Sequence, residues 1–149
     1  MRNAIIFLDS GDTLVDESTE VRIKGDVVDH AEFFTGIKEV LFQLKNAGFR
    51  VALVADGLVE SFDNIYQQHE METYFEVRAI SETVGVCKPA GEMFKTAMEK
   101  MNLEEADKKY IIMIGNNLER DIVGANRMGI TSVLAGYSPR YRMKPENEE

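Results

Sequence analysis

Asp9 and Asp12 follow directly on an apolar run, Ile5-Ile6-Phe7-Leu8, with Ser10-Gly11 between them and Thr13-Leu14 after. An apolar run that stops abruptly at a carboxylate is how a buried parallel strand delivers an acid to the open end of a sheet. In that setting Asp9 is a nucleophile or a metal ligand, and later segments must supply its partners. The competing reading is a plain turn, Ser10-Gly11-Asp12-Thr13, with an Asp at a helix cap. Three later polar segments also follow apolar runs or open helices: Ala55-Asp56-Gly57, Cys87-Lys88-Pro89, and Gly115-Asn116-Asn117 with Asp121.

The elements that must position these groups are legible as alternation. Five short apolar runs, residues 4–8, 51–54, 77–80, 110–114 and 131–134, are separated by helix-like segments, the pattern of βαβ units. The first helix carries Ile37, Val40, Leu41 and Leu44 at core spacing with Gly48 past its end, and the second turns Leu58, Phe62, Ile65 and Tyr66 inward. A third, starting near Pro89, carries Met93, Phe94, Ala97, Met98 and Met101, a stripe read as core. The last runs over about 118–128 and stops at Gly129, with Gly124-Ala125 allowing close packing on the sheet. Between the first two strands, Val21 and Ile23 alternate with charges and Gly25-Asp26 supplies a hairpin turn. The architecture expected is a parallel sheet covered on both faces, with ligands gathering beyond the strand C-termini.

Composition narrows the partners. At 149 residues the chain suits one domain. Seventeen Lys and Arg against 26 Asp and Glu give a net charge of -9, which opposes a general affinity for nucleic acid or anionic membranes. A single cysteine, Cys87, cannot form an internal disulfide and suits a reducing cytosol. Residues 4–8 are too short for the apolar part of a signal peptide, and no run reaches the length of a membrane span. The expectation is a cytoplasmic protein with a solvated end at residues 145–149.

Taken together, the four polar segments resemble the motifs of the haloacid dehalogenase-like hydrolase superfamily, over nearly the whole chain from Ile5 to about Leu134. Asp9-Ser10-Gly11-Asp12-Thr13-Leu14 resembles its first motif, an apolar strand followed by D-x-D-G-T-L. Val54-Ala55-Asp56-Gly57 resembles the second, Lys88-Pro89 the third, and Ile114-Gly115-Asn116-Asn117-Leu118-Glu119-Arg120-Asp121 the fourth, G-D-x-x-x-x-D. The resemblance implies a three-layer, Rossmann-like α/β fold with a five-stranded parallel sheet in the order 3-2-1-4-5. It also implies hydrolysis of a phosphate ester through an aspartyl-phosphate on Asp9, with Mg²⁺ as cofactor. Asp9, the backbone carbonyl of Gly11, Asn116 and Asp121 would then face the metal. Lys88 would stabilise charge, and Ala55, Asp56 and Lys88 would hold the phosphate. Positions beside that lysine are commonly small and apolar in the family, so the resemblance implies that Cys87 is packing rather than a reactive thiol.

Departures from the motifs point the other way. Gly11 stands where phosphatases of the family carry the Asp that protonates the leaving group, a role worth about 10²–10⁴-fold. Asp12, one position late, reads as a displaced acid/base or, preferably, as a turn-stabilising carboxylate. Ala55 lacks the hydroxyl of the second motif and Asn116 lacks the charge of the fourth. The alternatives are a slow or inactive member that binds a phosphorylated ligand or protein, and a dehalogenase or phosphonate hydrolase.

Residues 14–34 leave room for a β-hairpin flap and nothing larger, so the reading is a capless core over residues 1–136 with a tail at 137–149. Such a site is open to a phosphorylated small molecule or macromolecule, or is closed by a neighbouring subunit in a homo-oligomer. Arg22, Lys24 and His30 near the flap read as solvated charges, His69 as exposed or capping, and the aromatic-basic stretch 137–144 as a tail packing its Tyr rings on the domain.

Overall fold

The structure of the chain, a computed structural model, describes residues 2–138. Its sheet contains β1 (Ile5–Leu8), β4 (Arg50–Ala55), β5 (Val77–Ile80), β6 (Ile111–Gly115) and β7 (Thr131–Leu134), all parallel, in the order β5-β4-β1-β6-β7. Numbered along the sheet strands alone, this is the expected 3-2-1-4-5. β2 (Val15–Val21) and β3 (His30–Phe33) form a separate antiparallel pair. The helices are α1 (Ile37–Asn46), α2 (Val59–Gln68), α3 (Ser81–Val84), α4 (Gly91–Lys100) and α5 (Val123–Arg127). No helix among the described residues is long and apolar enough to cross a membrane.

Strand alternation builds the layers. In β1, Ile6 and Leu8 join Leu41, Phe62, Ile65 and Tyr66 in one core, while Ile5 and Phe7 join Met93, Phe94, Ala97 and Ala125 in the other. β4 divides the same way, so both central strands are buried on two faces between α1 and α2 on one side and α4 and α5 on the other. The methionine-rich stripe of α4 is core, as its spacing indicated. Because Leu8 pairs with both Leu53 and Ile114, the C-terminal ends of β1, β4 and β6 open at one edge of the sheet.

Several local expectations give way to tertiary context. Val40 is 49% exposed, because Ile37, Leu41 and Leu44 suffice to seat α1. Pro89 precedes α4 rather than lying in its first turn, the Lys88–Pro89 peptide is cis, and α3 is a short helix that the periodicity did not show. Cys87 is exposed, not packed: it lies in the loop whose next side chain, Lys88, turns inward. Gly124 allows close approach to α4 rather than to the sheet. A Cβ there would stand 2.9 Å from the Phe94 ring and 3.1 Å from Pro89 Cα.

The hairpin is longer than its alternating residues indicated, although Gly25-Asp26 does form its tip, closed by a Lys24–Val27 bridge. It is tied down onto α2. Ser61 Oγ accepts from Val28 N (2.9 Å), Asn64 Nδ2 donates to Val28 O (2.9 Å), and Gln68 Oε1 accepts from Ala31 N (3.0 Å). His69 caps α2 but is not exposed; its Nε2 lies 2.7 Å from Ala31 O and its ring packs on Phe33. Tyr137 packs edge-on to Phe34 and its hydroxyl donates to Thr13 O. The remainder of the tail reading falls on residues 139–144, outside the described residues.

Two buried tyrosines set an alkaline limit. Burial raises the pKa of Tyr66, whose hydroxyl meets Ser10 Oγ at 2.8 Å, and pushes that of Tyr74 up to about 12. A phenol that stays neutral in the fold but ionises near 10 when unfolded contributes stability that is complete below pH ~10 and is lost as pH rises through the folded value. Thermal melts are therefore expected to fall steeply between about pH 10 and 12, and less steeply for Tyr74→Phe.

Candidate active site

Each polar segment that the sequence singles out leaves a strand end or opens a helix at the open edge of the sheet. The loop after β1 carries Asp9; the loop after β4 carries Asp56; the loop before α4 carries Lys88; and a π-type turn (Leu118–Ile122) between β6 and α5 carries Asp121. That turn is started by Asn117, whose side-chain oxygen accepts from the amides of Glu119 (3.1 Å) and Arg120 (3.0 Å). The wider turn brings Asp121 beneath Gly115. A Cβ on Gly115 would lie 2.2 Å from Asp121 Oδ2, so only glycine admits the carboxylate here. Gly115→Ala is expected to cost roughly 1–3 kcal/mol by overpacking, read from urea denaturation.

Lys88 is the centre of the arrangement. Its ammonium, on a side chain 1% exposed, donates to Asp9 Oδ1 (3.0 Å), Asp121 Oδ1 (2.5 Å) and the Val54 carbonyl (2.8 Å), which uses all three of its protons. Burial works against its charge, but Asp9, Asp121 and Asp56 outweigh it and hold its pKa above the ordinary lysine value. One ammonium cannot balance two carboxylates in a buried site. Asp121 bears the excess: burial pushes its pKa up to about 6, against the opposing pull of Lys88 and with Asp9 adding repulsion.

The other members are arranged around this triad. Thr13 Oγ1 donates to Asp9 Oδ2 (3.2 Å) and to Asn116 Oδ1 (3.4 Å), and Asn116 Nδ2 reaches Ser138 Oγ (3.2 Å). Asp121 Oδ2 accepts from Asn117 N (3.1 Å). Asp56 turns its carboxylate toward Lys88 N (2.9 Å) and Arg120 (3.6 Å), so its side chain braces the Lys88 loop. Ala55 is buried at the end of β4 and offers only backbone. Asp12 is also buried and is not among the residues lining the cavity; it sits at φ 55, and its Oδ1 accepts from Glu17 N at 2.9 Å.

These groups floor a cavity of about 420 Å³. Asp9, Gly11, Lys88, Asn116 and Asp121 lie on one side, α2 supplies Ser61, Phe62 and Ile65, and the hairpin supplies Glu17, Glu20, Arg22 and Asp26. Of the flap cations, Arg22 reaches the cavity, whereas Lys24 and His30 are not among its lining residues. Sequence reasoning missed Thr13, Arg120 and Glu17. Thr13 and Arg120 lie inside the quoted motifs, and alternation from the buried Val15 would have turned Glu17 to the same face.

The oxygen-bearing side chains brought together here are the Asp9 and Asp121 carboxylates, both on Lys88 Nζ, and the Asn116 amide, which shares Thr13 Oγ1 with Asp9; the Gly11 backbone lines the same cavity. No group of three or more His, Cys, Asp or Glu suited to a metal occurs among the described residues. An all-oxygen set with two acids and surplus negative charge suits Mg²⁺, which takes few protein ligands and completes its shell with water or phosphate.

Comparison with known proteins agrees with this geometry. The sequence profile of the haloacid dehalogenase-like hydrolase family matches residues 10–135. A glyceraldehyde 3-phosphate phosphatase of Pyrococcus furiosus is 30% identical over 132 residues, which are 84% of this chain and 53% of that protein. The protein of the same name from Pyrococcus abyssi is 33% identical over 103 residues, 68% of this chain and 42% of that one. The chain thus spans about half the length of these curated relatives. A HAD phosphatase structure from Thermococcus onnurineus superimposes with a TM-score of 0.73 at 14% identity, covering 88% of this chain and 85% of that one, a likeness of fold.

Proposed function

This chain belongs to the haloacid dehalogenase-like hydrolase family, and on that premise we propose that it is a Mg²⁺-dependent phosphate-ester hydrolase acting through an aspartyl-phosphate on Asp9. The observation that carries the reading is the Asp9 carboxylate held by a buried ammonium on the floor of an oxygen-lined cavity. Lys88 fixes one oxygen of Asp9 and Thr13 the other, which orients the carboxylate and limits its freedom before attack. Attack on phosphorus forms the acyl phosphate, and water then hydrolyses it, dividing one hard displacement into two easier ones. Lys88 opposes the repulsion between Asp9 and the incoming phosphoryl group, and the backbone amide of Asp56, just past Ala55, offers a hydrogen bond to one of its oxygens.

Asp9, Asp121, the Gly11 carbonyl and Asn116 are the groups that would hold Mg²⁺, whose chemistry when bound is to draw carboxylate and phosphate oxygens together and neutralise their charge. The cavity lies at the small end of the range for ligand pockets, roughly 300–1,000 Å³. That favours a phosphate monoester of a few carbons, in keeping with the three-carbon substrate in the names of the Pyrococcus relatives. Arg22 and Arg120 at the rim supply positive charge for the rest of such an anion.

The test is phosphate release from a panel of phosphoesters with Mg²⁺ and with EDTA, joined to a rapid mild-acid quench that looks for labelled phosphate on the protein. Metal-dependent release with a labelled chain is the expected outcome; no release from any ester defeats the reading. Gly11 favours the second reading, binding without turnover. That reading predicts thermal stabilisation by Mg²⁺ with beryllofluoride but no phosphate release.

A further inference from the structure

We propose that Glu17, from the hairpin, is the general acid and base of this site, taking the place of the carboxylate that Gly11 does not carry. The inference rests on the phosphate-ester reading above. A Cβ built on Gly11 would stand 2.1 Å from Glu17 Oε1, 3.0 Å from its Cδ and 3.3 Å from its Cγ. The first distance is about that at which an aspartate at position 11 would carry its own carboxylate oxygens. Glu17 therefore fills that volume from another strand, and Gly11 is what lets it in. Glu17 lines the same cavity as Asp9, Lys88 and Asp121.

The chain is built to hold it there. β2 starts at the buried Val15, and alternation turns Glu17 to the same side, where both residues line the cavity. Asp12 fixes the entry to the strand: its amide donates to Val15 O (2.6 Å), and its carboxylate accepts from Glu17 N (2.9 Å). The last regular pair of β2 with β3 is Asp16 with Glu32, and the register then shifts before Val21, so Glu17 sits at the first step of the irregularity. Asp12 is thus a positioning residue for Glu17.

The step balances as follows. As Asp9 forms its bond to phosphorus, the P–O bond to the leaving group breaks and that oxygen takes the proton of the Glu17 carboxyl, so the alcohol departs neutral. The Glu17 carboxylate then takes a proton from water as the water oxygen attacks phosphorus. The P–O bond to Asp9 breaks, releasing phosphate and returning Asp9 as carboxylate and Glu17 as carboxyl.

The experiment compares wild type, Asp9→Asn, Glu17→Gln and the pair Gly11→Asp with Glu17→Ala, all checked for native melting, on an alkyl phosphate and on p-nitrophenyl phosphate. Glu17→Gln is expected to lose about 10²–10³-fold on the alkyl ester and far less in formation of the phospho-enzyme from the nitrophenyl ester. The paired variant is expected to regain much of the alkyl-ester rate. Glu17→Gln with an unchanged rate, or with equal losses on both esters and a weakened Mg²⁺ requirement, overturns the assignment while leaving Asp9 in place. If Glu17→Gln does not melt natively, the paired variant decides, its lack of activity overturning the assignment. A wild type inactive on every ester overturns the phosphatase reading and this inference together.

Discussion

Asp9→Asn is expected to abolish turnover while leaving the metal-free fold as stable as wild type or more so. The loss should be about 10⁴-fold or more, since removing a nucleophile forfeits the covalent route altogether. Stability should move the other way because of charge. Lys88 faces two carboxylates, and Asp9 is one of the groups raising the pKa of Asp121. With Asn at position 9 the ammonium and Asp121 form a one-to-one pair, and the repulsion on Asp121 is relieved. Thermal melts in EDTA and initial rates of phosphate release, measured on the same preparation, check both halves. A variant that lost activity by unfolding would show a lowered melting temperature, which the geometry does not predict.

Lys88→Met is the converse case. It removes the only cation within the triad and leaves Asp9 and Asp121 facing each other in a buried site. Breaking a buried ion pair on one side typically costs about 3–5 kcal/mol, because the remaining charge is uncompensated. A loss of that order is expected in urea denaturation at neutral pH. It should shrink in acid, where the carboxylates take up protons, and shrink on adding Mg²⁺, which supplies the missing charge. Lys88→Arg should not restore the site, since the guanidinium is a wide planar fork and the three acceptors of Nζ converge on a point.

How the fold and site were legible in the chain follows from which interactions are local. The five strands, the inward stripe of α4 and the collection of Asp9, Asp56, Lys88 and Asp121 at one edge follow from alternation, periodicity and the parallel-sheet rule. Each of those reads a few neighbouring residues at a time. What escaped was decided across the chain. Val40 is outward because three other side chains already seat its helix, and Gly124 is glycine because of a ring on α4. Glu17 reads as one more flap acid until its carboxylate is seen beside Gly11, six positions earlier in sequence. A substituted motif position and the group filling its volume look like separate facts along the chain, and they are one fact in space.

The long reach of the hydrogen bonds at the site carries a kinetic consequence. Asp9 meets Lys88 across 79 positions, and Thr13 meets Asn116 across 103 and Tyr137 across 124. Contacts of such separation close late, because loop entropy must be met before they repay it. On the ribosome, β1 and the hairpin emerge long before Lys88 is made, so during synthesis Asp9 waits without its balancing charge. Asp121 arrives later still, so the triad is complete only once four of the five sheet strands have been made.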